Sequence, residues 1–192
     1  MKEGQKGSFS MERIMVMGCS GSGKSTLAQN LSKELGVDAI HLDSHFFVAN
    51  WTPVPRDQFQ KAIEECLKKD KWVMDGNFQR TLIDERIKRA DTIIHLDFST
   101  WNCLYGIIKR RIQYHGKTRP DGAENSQEKI DLNLLKWVWN YNRDYHPELK
   151  KLLAESKGKR IIVLKNRWEV DDFVEEVKKS VKENRPVNWK EN

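Results

Sequence analysis

Apolar residues along this 192-residue chain follow two alternating spacings. Short continuous apolar runs, which are typical of buried strands, occur at 14–17, 39–42, 72–74, 92–96 and 160–164. Between these runs, apolar residues recur every three or four positions, as Leu27, Leu31 and Leu35 do, which is typical of amphipathic helices. Strands that alternate with helices predict an α/β fold, in which a five-stranded parallel sheet is covered by helices on both faces.

Breaks in this alternation predict the ends of elements and the limits of the domain. The aromatic-rich stretch from Ser44 to Pro55 reads as a loop, after which Pro55 opens a helix that ends near Lys69. The stretch 115–125 is polar and contains two glycines and a proline, which also indicates a loop. We therefore predict a flexible arm at 1–12, one domain at 13–185 with a small lid at about 113–128, and a tail at 186–192.

Composition narrows the class of protein. Hydrophobic residues make up 38% of the chain and charged residues 32%, which is typical of a soluble globular protein, and no apolar run is long enough to cross a membrane. The three cysteines are scattered and odd in number, which argues against a disulfide framework and favours the cytoplasm. The net charge of +6 favours anionic partners, which are either phosphorylated metabolites or nucleic acid.

One glycine-rich stretch carries the most specific chemistry. Residues 18–26, Gly-Cys-Ser-Gly-Ser-Gly-Lys-Ser-Thr, match the phosphate-binding pattern G-x-x-x-x-G-K-[S/T] between a predicted strand and a predicted helix. Glycines allow successive N–H groups to converge on an anion, and the N-terminus of the following helix adds unpaired donors. We predict that the nucleotide is bound by Gly18, Ser20, Gly21, Ser22, Gly23, Lys24, Ser25 and Thr26. Within this set, Lys24 is a catalytic candidate at the β- and γ-phosphates and Ser25 is a Mg²⁺ ligand.

Carboxylates follow three of the predicted strands. The carboxyl ends of parallel strands meet at one edge of a sheet, so Asp43, Asp75 and Asp97 are expected near the phosphate loop. We assign Asp75 to Mg²⁺, with Asp97 as a rival and an ordinary Asp-Gly turn as the alternative. Asp43 is a catalytic candidate that would orient or deprotonate an acceptor hydroxyl, or it is simply a helix or turn cap.

A basic stretch without acidic residues runs from Lys109 to Pro120. Arginines in a closing lid would stabilise the transferred phosphoryl group and exclude water, so Arg110 and Arg119 are catalytic candidates and Arg111 is a nucleotide contact. A solvated helix face and a patch that binds nucleic acid are the alternatives. Arg167, which follows the last strand, is placed against the nucleotide base by its position alone. The five histidines show no metal-ligand spacing, and none is assigned a role.

These segments together resemble the adenylate-kinase-like branch of the P-loop NTPases, and within it bacterial DNA topology modulation proteins. The resemblance rests on residues 18–26, 41–43, 51–56, 75–78, 91–97, 110–111 and 118–120. It implies a three-layer sandwich with strand order 2-3-1-4-5, ATP on the phosphate loop, and a lid. Nucleoside monophosphate kinases typically carry Asp-Gly-Phe-Pro-Arg where this chain has Asp-Gly-Asn-Phe-Gln-Arg at 75–80, so adenylate specificity is not implied.

The sequence therefore predicts an ATP-binding, kinase-like protein that transfers a phosphoryl group, with Mg²⁺, to a small-molecule acceptor, for which a nucleotide-like compound is one candidate. The alternatives are a nucleotide-dependent regulator of DNA topology that binds nucleic acid, and an ATP binder without turnover. No DNA-reading module is recognisable, so a nucleic-acid partner is not favoured. No membrane partner is expected.

Overall fold

The apolar runs of the sequence form the central strands of the fold. The computed structural model describes residues 11–116 and 132–190. Within these ranges the strands are β1 (Arg13–Gly18), β2 (Asp38–His41), β3 (Phe47–Val48), β4 (Thr52–Pro53), β5 (Trp72–Asp75), β6 (Thr92–Leu96) and β7 (Arg160–Leu164). The helices are α1 (Lys24–Leu35), α2 (Leu42–Phe46), α3 (Arg56–Leu67), α4 (Ile83–Arg89), α5 (Thr100–Gln113), α6 (Leu132–Asp144), α7 (His146–Glu155) and α8 (Arg167–Lys182).

Five of these strands form one parallel sheet in the order β2-β5-β1-β6-β7. When only these five strands are counted along the chain, the order is 2-3-1-4-5, and the predicted fold class is confirmed. The first strand lies at the centre, with β5 and β6 on either side, so its C-terminal end faces the ends of both neighbours. This arrangement places the glycine loop that follows β1 at the middle of the carboxyl edge, where parallel sheets bind ligands.

Helices cover both faces of the sheet because side chains along each strand alternate between the faces. Ile14 and Val16 of β1 point into a core that also contains buried residues of α1, α5, α6 and α8. Met15 and Met17 point to the opposite face, where buried residues of α3 and α7 complete a second core. All four of these β1 side chains are fully buried, which explains why the strand reads as a continuous apolar run.

The stretch predicted as a loop from Ser44 to Pro55 is more ordered than the sequence indicated. Its first residues complete α2, and β3 and β4 then pair as a short antiparallel hairpin. Asn50 and Trp51 adopt positive φ in the turn of this hairpin. Because the turn contains no glycine, sequence rules that recognise such turns by their glycines do not identify it. The loop prediction was wrong here because the paired strands have only two residues each.

The predicted arm, lid and tail can each be compared with the residues that the structure describes. Residues 1–10 of the predicted arm and 117–128 of the predicted lid lie outside the described ranges. Met11 is buried in the core, and the backbone N–H of Glu12 donates to Asp91. In the predicted tail, the carbonyl of Val187 accepts a hydrogen bond of 2.8 Å from Arg160. No helix in the described part of the chain has the length and apolar character needed to span a membrane.

The start of α8 is set by a reciprocal cap. The Asn166 side-chain oxygen accepts a 3.0 Å hydrogen bond from the backbone N–H of Glu169. The carboxylate of Glu169 in turn accepts 2.8 Å from the backbone N–H of Lys165, which precedes the cap. This exchange satisfies donors that a helix N-terminus otherwise leaves unpaired. It also fixes the position of Arg167, the first residue of the helix.

Removal of this cap should destabilise the domain. We expect Asn166→Ala to lower the free energy of unfolding by about 1 kcal/mol, because the Glu169 N–H loses its acceptor. Asn166→Ser, which keeps an oxygen acceptor without placing a second carboxylate beside Glu169, should stay close to the wild type. Urea denaturation followed by circular dichroism would measure both variants, and equal stability of the alanine variant and the wild type would contradict this role.

Candidate active site

The loop between β1 and α1 forms an anion-binding cradle. Gly18, Gly21 and Gly23 have φ values of 145°, 81° and 94°, a region that favours glycine, so the predicted glycine pattern has a direct backbone reason. The Ser22 hydroxyl donates 2.8 Å to the carbonyl of Cys19 and closes the loop on itself. The Lys24 ammonium donates 2.9 Å to the same carbonyl, which places its charge at the mouth of the cradle.

Asn77 fastens this loop to the neighbouring strand. Its side-chain oxygen accepts 3.0 Å from the Gly18 N–H, and its amide nitrogen donates 2.9 Å to the Gly18 carbonyl. One side chain therefore satisfies both backbone groups of the first loop glycine. The sequence resemblance included this asparagine but assigned it no role. The structure shows it to be a positioning residue for the loop.

Arg86 in turn holds the segment that carries Asn77. This side chain is fully buried, and its guanidinium donates 2.7 Å to the Gly76 carbonyl and 2.9 Å to the Asn77 carbonyl. Burial lowers the pKa of Arg86 to about 10, while the nearby Asp75 carboxylate acts in the opposite direction. The side chain therefore stays charged at neutral pH. Sequence reasoning missed it because a single arginine in a short amphipathic helix gives no signal of burial.

Two predicted Mg²⁺ ligands lie together beside the cradle. The Ser25 hydroxyl donates 3.2 Å to one carboxylate oxygen of Asp75, and the other oxygen contacts the imidazole of His41. Asp75 is only 3% exposed, so its carboxylate is held by these partners instead of by solvent. A hydroxyl and a carboxylate oxygen at this spacing are the donors that Mg²⁺ prefers, and they fit such an ion. His41 is an addition to the sequence-based set, brought in by the pairing of β2 with β5.

Helix α5 packs against the glycine loop at unusually short range. A Cβ added to Gly21 would lie 2.1 Å from the carbonyl oxygen of Cys103. A Cβ added to Gly106 would lie 2.0 Å from the carbonyl oxygen of Gly21. Both positions therefore need glycine for close approach of the two backbones.

The thiols at this contact are buried and free, and a hydrogen bond to Cys103 together with burial raises the pKa of Cys19. Cys19 is therefore a protonated, space-filling residue of the loop.

Arg167 lies beside the loop, as its position after the last strand predicted. Its guanidinium donates 3.5 Å to the carbonyl of Asn102 and lies 5.8 Å from the ring centre of Phe98 and 5.9 Å from that of Tyr105. One of its nitrogens lies 3.8 Å from where a Cβ of Gly23 would be. The nucleotide contact predicted for Arg167 is compatible with this position and stays a prediction.

The remaining loop candidates occupy the two sides of the cradle. Ser20 is half-buried within the loop, whereas Thr26 is exposed on the first turn of α1. Asp43 is half-buried in the first turn of α2, directly after the strand that brings His41 to Asp75. The carbonyl of Asp43 accepts the backbone N–H of Phe47, which closes this short helix. Asp43 therefore lies directly beyond the carboxyl end of β2, and its catalytic role stays a prediction.

The predicted lid arginines are only partly described. Arg110 and Arg111 are half-buried in the last turn of α5, about one helical turn beyond the glycine that touches the loop. Arg119 lies outside the described residues. Arg143, considered from sequence as a partner of the lid, instead pairs with Asp144 at 2.6 and 3.0 Å on the exposed surface.

Asp97 lies in a different group from Asp75. His146 approaches it with a nitrogen-to-oxygen distance of 2.9 Å, and the rings of His95 and His146 are 5.4 Å apart. The view that the histidines form no metal-ligand pattern is therefore corrected for this group, because residues 95 and 146 are distant in sequence but adjacent in the fold. Burial is the main cause that lowers the pKa of His95, to about 4, so its imidazole is neutral.

Comparison with known proteins identifies the family to which the chain belongs. A family model described as an AAA domain matches residues 14–131. The chain belongs to this AAA domain family. No curated protein matches the sequence.

Among solved structures, the chain is similar to a shikimate kinase from Acinetobacter baumannii in complex with shikimate. The TM-score is 0.60 at 16% identity, over 93% of this chain and 97% of that one. It is also similar to a gluconokinase from Sinorhizobium meliloti 1021, with a TM-score of 0.52 at 18% identity, over 91% of this chain and 93% of that one. These similarities confirm a kinase-like P-loop NTPase fold for this member of the AAA domain family.

The contact between α5 and the glycine loop predicts whether Gly106→Ala raises or lowers the stability of the protein. In an exposed helix, Gly106→Ala would stabilise the protein by about 1 kcal/mol. Here we expect it to lower the melting temperature and to weaken binding of a non-hydrolysable ATP analogue at least tenfold, because the new methyl group displaces the Gly21 backbone.

Ile108→Ala, an exposed position on the same helix, serves as the control and should leave nucleotide binding unchanged. Thermal melts and fluorescence titration would measure both effects. Normal binding by the Gly106 variant would show that the contact does not shape the nucleotide site.

Proposed function

We propose that this protein is a phosphotransferase that uses Mg²⁺ and ATP to phosphorylate a small-molecule acceptor. The observation that carries this proposal is the 3.2 Å contact between Ser25 and Asp75, next to the ammonium of Lys24 at the mouth of the glycine cradle. A metal-binding pair, a mobile positive charge and converging backbone donors are what phosphoryl transfer requires of a protein. The two similar solved structures are both named as small-molecule kinases, which supports the same broad class here.

On the donor side, each group has a separate task. The backbone N–H groups of the loop bind the β-phosphate, and Lys24 exchanges the carbonyl of Cys19 for phosphate oxygens. Ser25 and Asp75 would hold Mg²⁺, which would supply positive charge to neutralise the phosphates. His41 orients the Asp75 carboxylate through its second oxygen, and Arg167 lines the nucleotide side of the cradle.

Aromatic rings that follow Asp43 in the chain pack on the second core. Phe46 packs against Phe47, Phe59 and Phe78 with ring centres 4.7 to 5.0 Å apart. Asp43, in the first turn of α2, supplies the group that would orient an acceptor hydroxyl. Arg110, Arg111 and Arg119 remain the candidates for charge stabilisation once acceptor and donor are bound.

The roles of the donor side can be tested by a transfer screen. The wild-type protein is incubated with ATP labelled at the γ-phosphate and a panel of nucleoside monophosphates, nucleosides, sugars and small hydroxy acids. For any acceptor that becomes labelled, Lys24→Ala should reduce the rate by about two orders of magnitude or more, because one preorganised charge is lost from the transition state.

Lys33→Ala, an exposed lysine on the same helix, is the matched control and should retain the wild-type rate. Circular dichroism would confirm that both variants are folded. A wild-type rate in the Lys24 variant would refute the assignment. Tight ATP binding by the wild type without transfer to any acceptor would favour the alternative of a nucleotide binder without turnover.

A second candidate function has a separate observation in its favour. The outer faces of α5 and α6 expose Trp101, Tyr105 and Trp139 to 71%, 59% and 57%, close in sequence to the exposed Lys109 and Lys136. Aromatic platforms with basic neighbours suit nucleic acid, as the similarity to DNA topology modulation proteins would require. This candidate ranks second because the site at the carboxyl edge accounts for phosphoryl transfer without it.

DNA binding would distinguish this second function. If it holds, affinity for a short DNA duplex should fall steeply with salt, and the Lys109→Ala, Lys136→Ala double variant should flatten that dependence by about two phosphate contacts. Fluorescence anisotropy over a series of salt concentrations measures both quantities. An absence of binding at low salt would eliminate DNA recognition by this surface.

A further inference from the structure

A group of three side chains at the carboxyl edge contains none of the residues assigned to the phosphate cradle. His95 is in β6, Asp97 follows that strand, and His146 is the first residue of α7. One nitrogen or oxygen atom from each residue can be chosen so that all three atoms lie within 4.8 Å of one another. Among the described residues, no second group of at least three histidine, cysteine or acidic side chains has this geometry.

The histidine nitrogens in this group are not satisfied by the protein. His95 is 2% exposed, and its Nε2 atom is buried without a hydrogen-bond partner in the described part of the chain. His146 Nε2 lies 2.9 Å from a carboxylate oxygen of Asp97. The angle of this contact does not suit a hydrogen bond, so within the described residues His146 Nε2 also has no hydrogen-bond partner. A buried polar atom without a partner is costly, so these two nitrogens indicate a ligand.

Space for that ligand is present. A cavity of about 230 Å³ is lined by His95, Asp97, Lys150 and the apolar side chains Leu153, Ala154, Ile161 and Val163. A neutral imidazole offers the lone pair of one ring nitrogen to a metal ion. The Lys150 ammonium opposes a cation, whereas the Asp97 carboxylate favours one.

We propose that His95, Asp97 and His146 form a three-ligand site for a divalent transition metal, with Zn²⁺ as the reference ion, that keeps an open coordination position towards the cavity. Two imidazoles and one carboxylate suit Zn²⁺ or Co²⁺, whereas Mg²⁺ prefers oxygen ligands. The site is therefore chemically distinct from the Ser25 and Asp75 pair and goes beyond the proposed kinase activity. Tetrahedral Zn²⁺ places its ligand atoms about 3.3 Å apart, which modest rotations of the two imidazoles would reach.

Such a metal would connect the sheet edge to the start of α7. His95 and Asp97 belong to the strand next to β1, and His146 begins the helix that contributes Leu149 and Leu153 to the second core. Binding would therefore hold the junction of α6 and α7 against the edge that carries the cradle. Metal binding to the folded protein should raise the melting temperature, and the rise should increase with the concentration of free metal.

The test uses the full-length protein without an affinity tag, stripped of metal with a chelator. Isothermal titration with Zn²⁺ should show one site, and Co²⁺ should produce the visible absorption of a nitrogen- and oxygen-ligated ion. His146→Gln, His95→Gln and Asp97→Asn should each weaken Zn²⁺ binding at least about tenfold, since each removes a ligand. His115→Gln, an exposed histidine outside the group, is the matched control.

Two further variants make the outcome decisive. Asp75→Asn should keep the Zn²⁺ site, and if this variant loses it, the ion binds at the phosphate cradle and the proposal fails. His146 is only partly buried at the first position of its helix, so its variant should fold even if the His95 variant does not. An absence of Zn²⁺ binding in the wild type, or unchanged affinity in the His146 variant, would show that the group is only an ion pair beside a neutral histidine.

Discussion

The amide of Asn77 bonds to both backbone groups of Gly18, and the donor side of the proposed site depends on this contact. A glycine loop alone has many conformations, since each glycine can adopt positive as well as negative φ. The asparagine fixes the first residue of the loop relative to β5, and the loop then follows a single path to the start of α1. Asp75, which precedes Asn77 by two residues, is brought to Ser25 by the same connection.

A buried charge supports that connection. Arg86 carries a guanidinium into the protein interior, where an isolated charge is strongly unfavourable, and its two terminal nitrogens donate to the carbonyls of Gly76 and Asn77. Asp75 lies close enough to favour the charged form of Arg86. The segment after β5 is therefore rigid for an electrostatic reason, and the Asp-Gly dipeptide that resembles an ordinary turn is a structural part of the site.

The opposite side of the loop is held by shape instead of charge. The backbones of Gly21 and Gly106 approach so closely that a methyl group fits at neither position. Helix α5 also contributes Asn102, whose carbonyl accepts from Arg167, and carries Arg110 and Arg111 at its C-terminal end. One helix therefore packs the cradle, helps to place the arginine beside it, and leads to the basic stretch. A displacement of α5 would therefore also displace the backbone of the phosphate loop.

The sequence by itself determined the layers of the fold and the donor half of the candidate site. Continuous apolar runs mark strands buried on both faces, and the glycine pattern carries its own backbone requirement, so both are local properties that can be read residue by residue. Only the tertiary structure decided the roles of Asn77, Arg86 and His41, and the grouping of His95, Asp97 and His146. Asn77, Arg86 and His41 contact partners 59, 9 and 34 positions away, and His146 comes from a helix that does not adjoin β6 in the chain, so no local pattern encodes these contacts. The short hairpin after α2 could not be predicted because its two-residue strands are too short to show a hydrophobic periodicity.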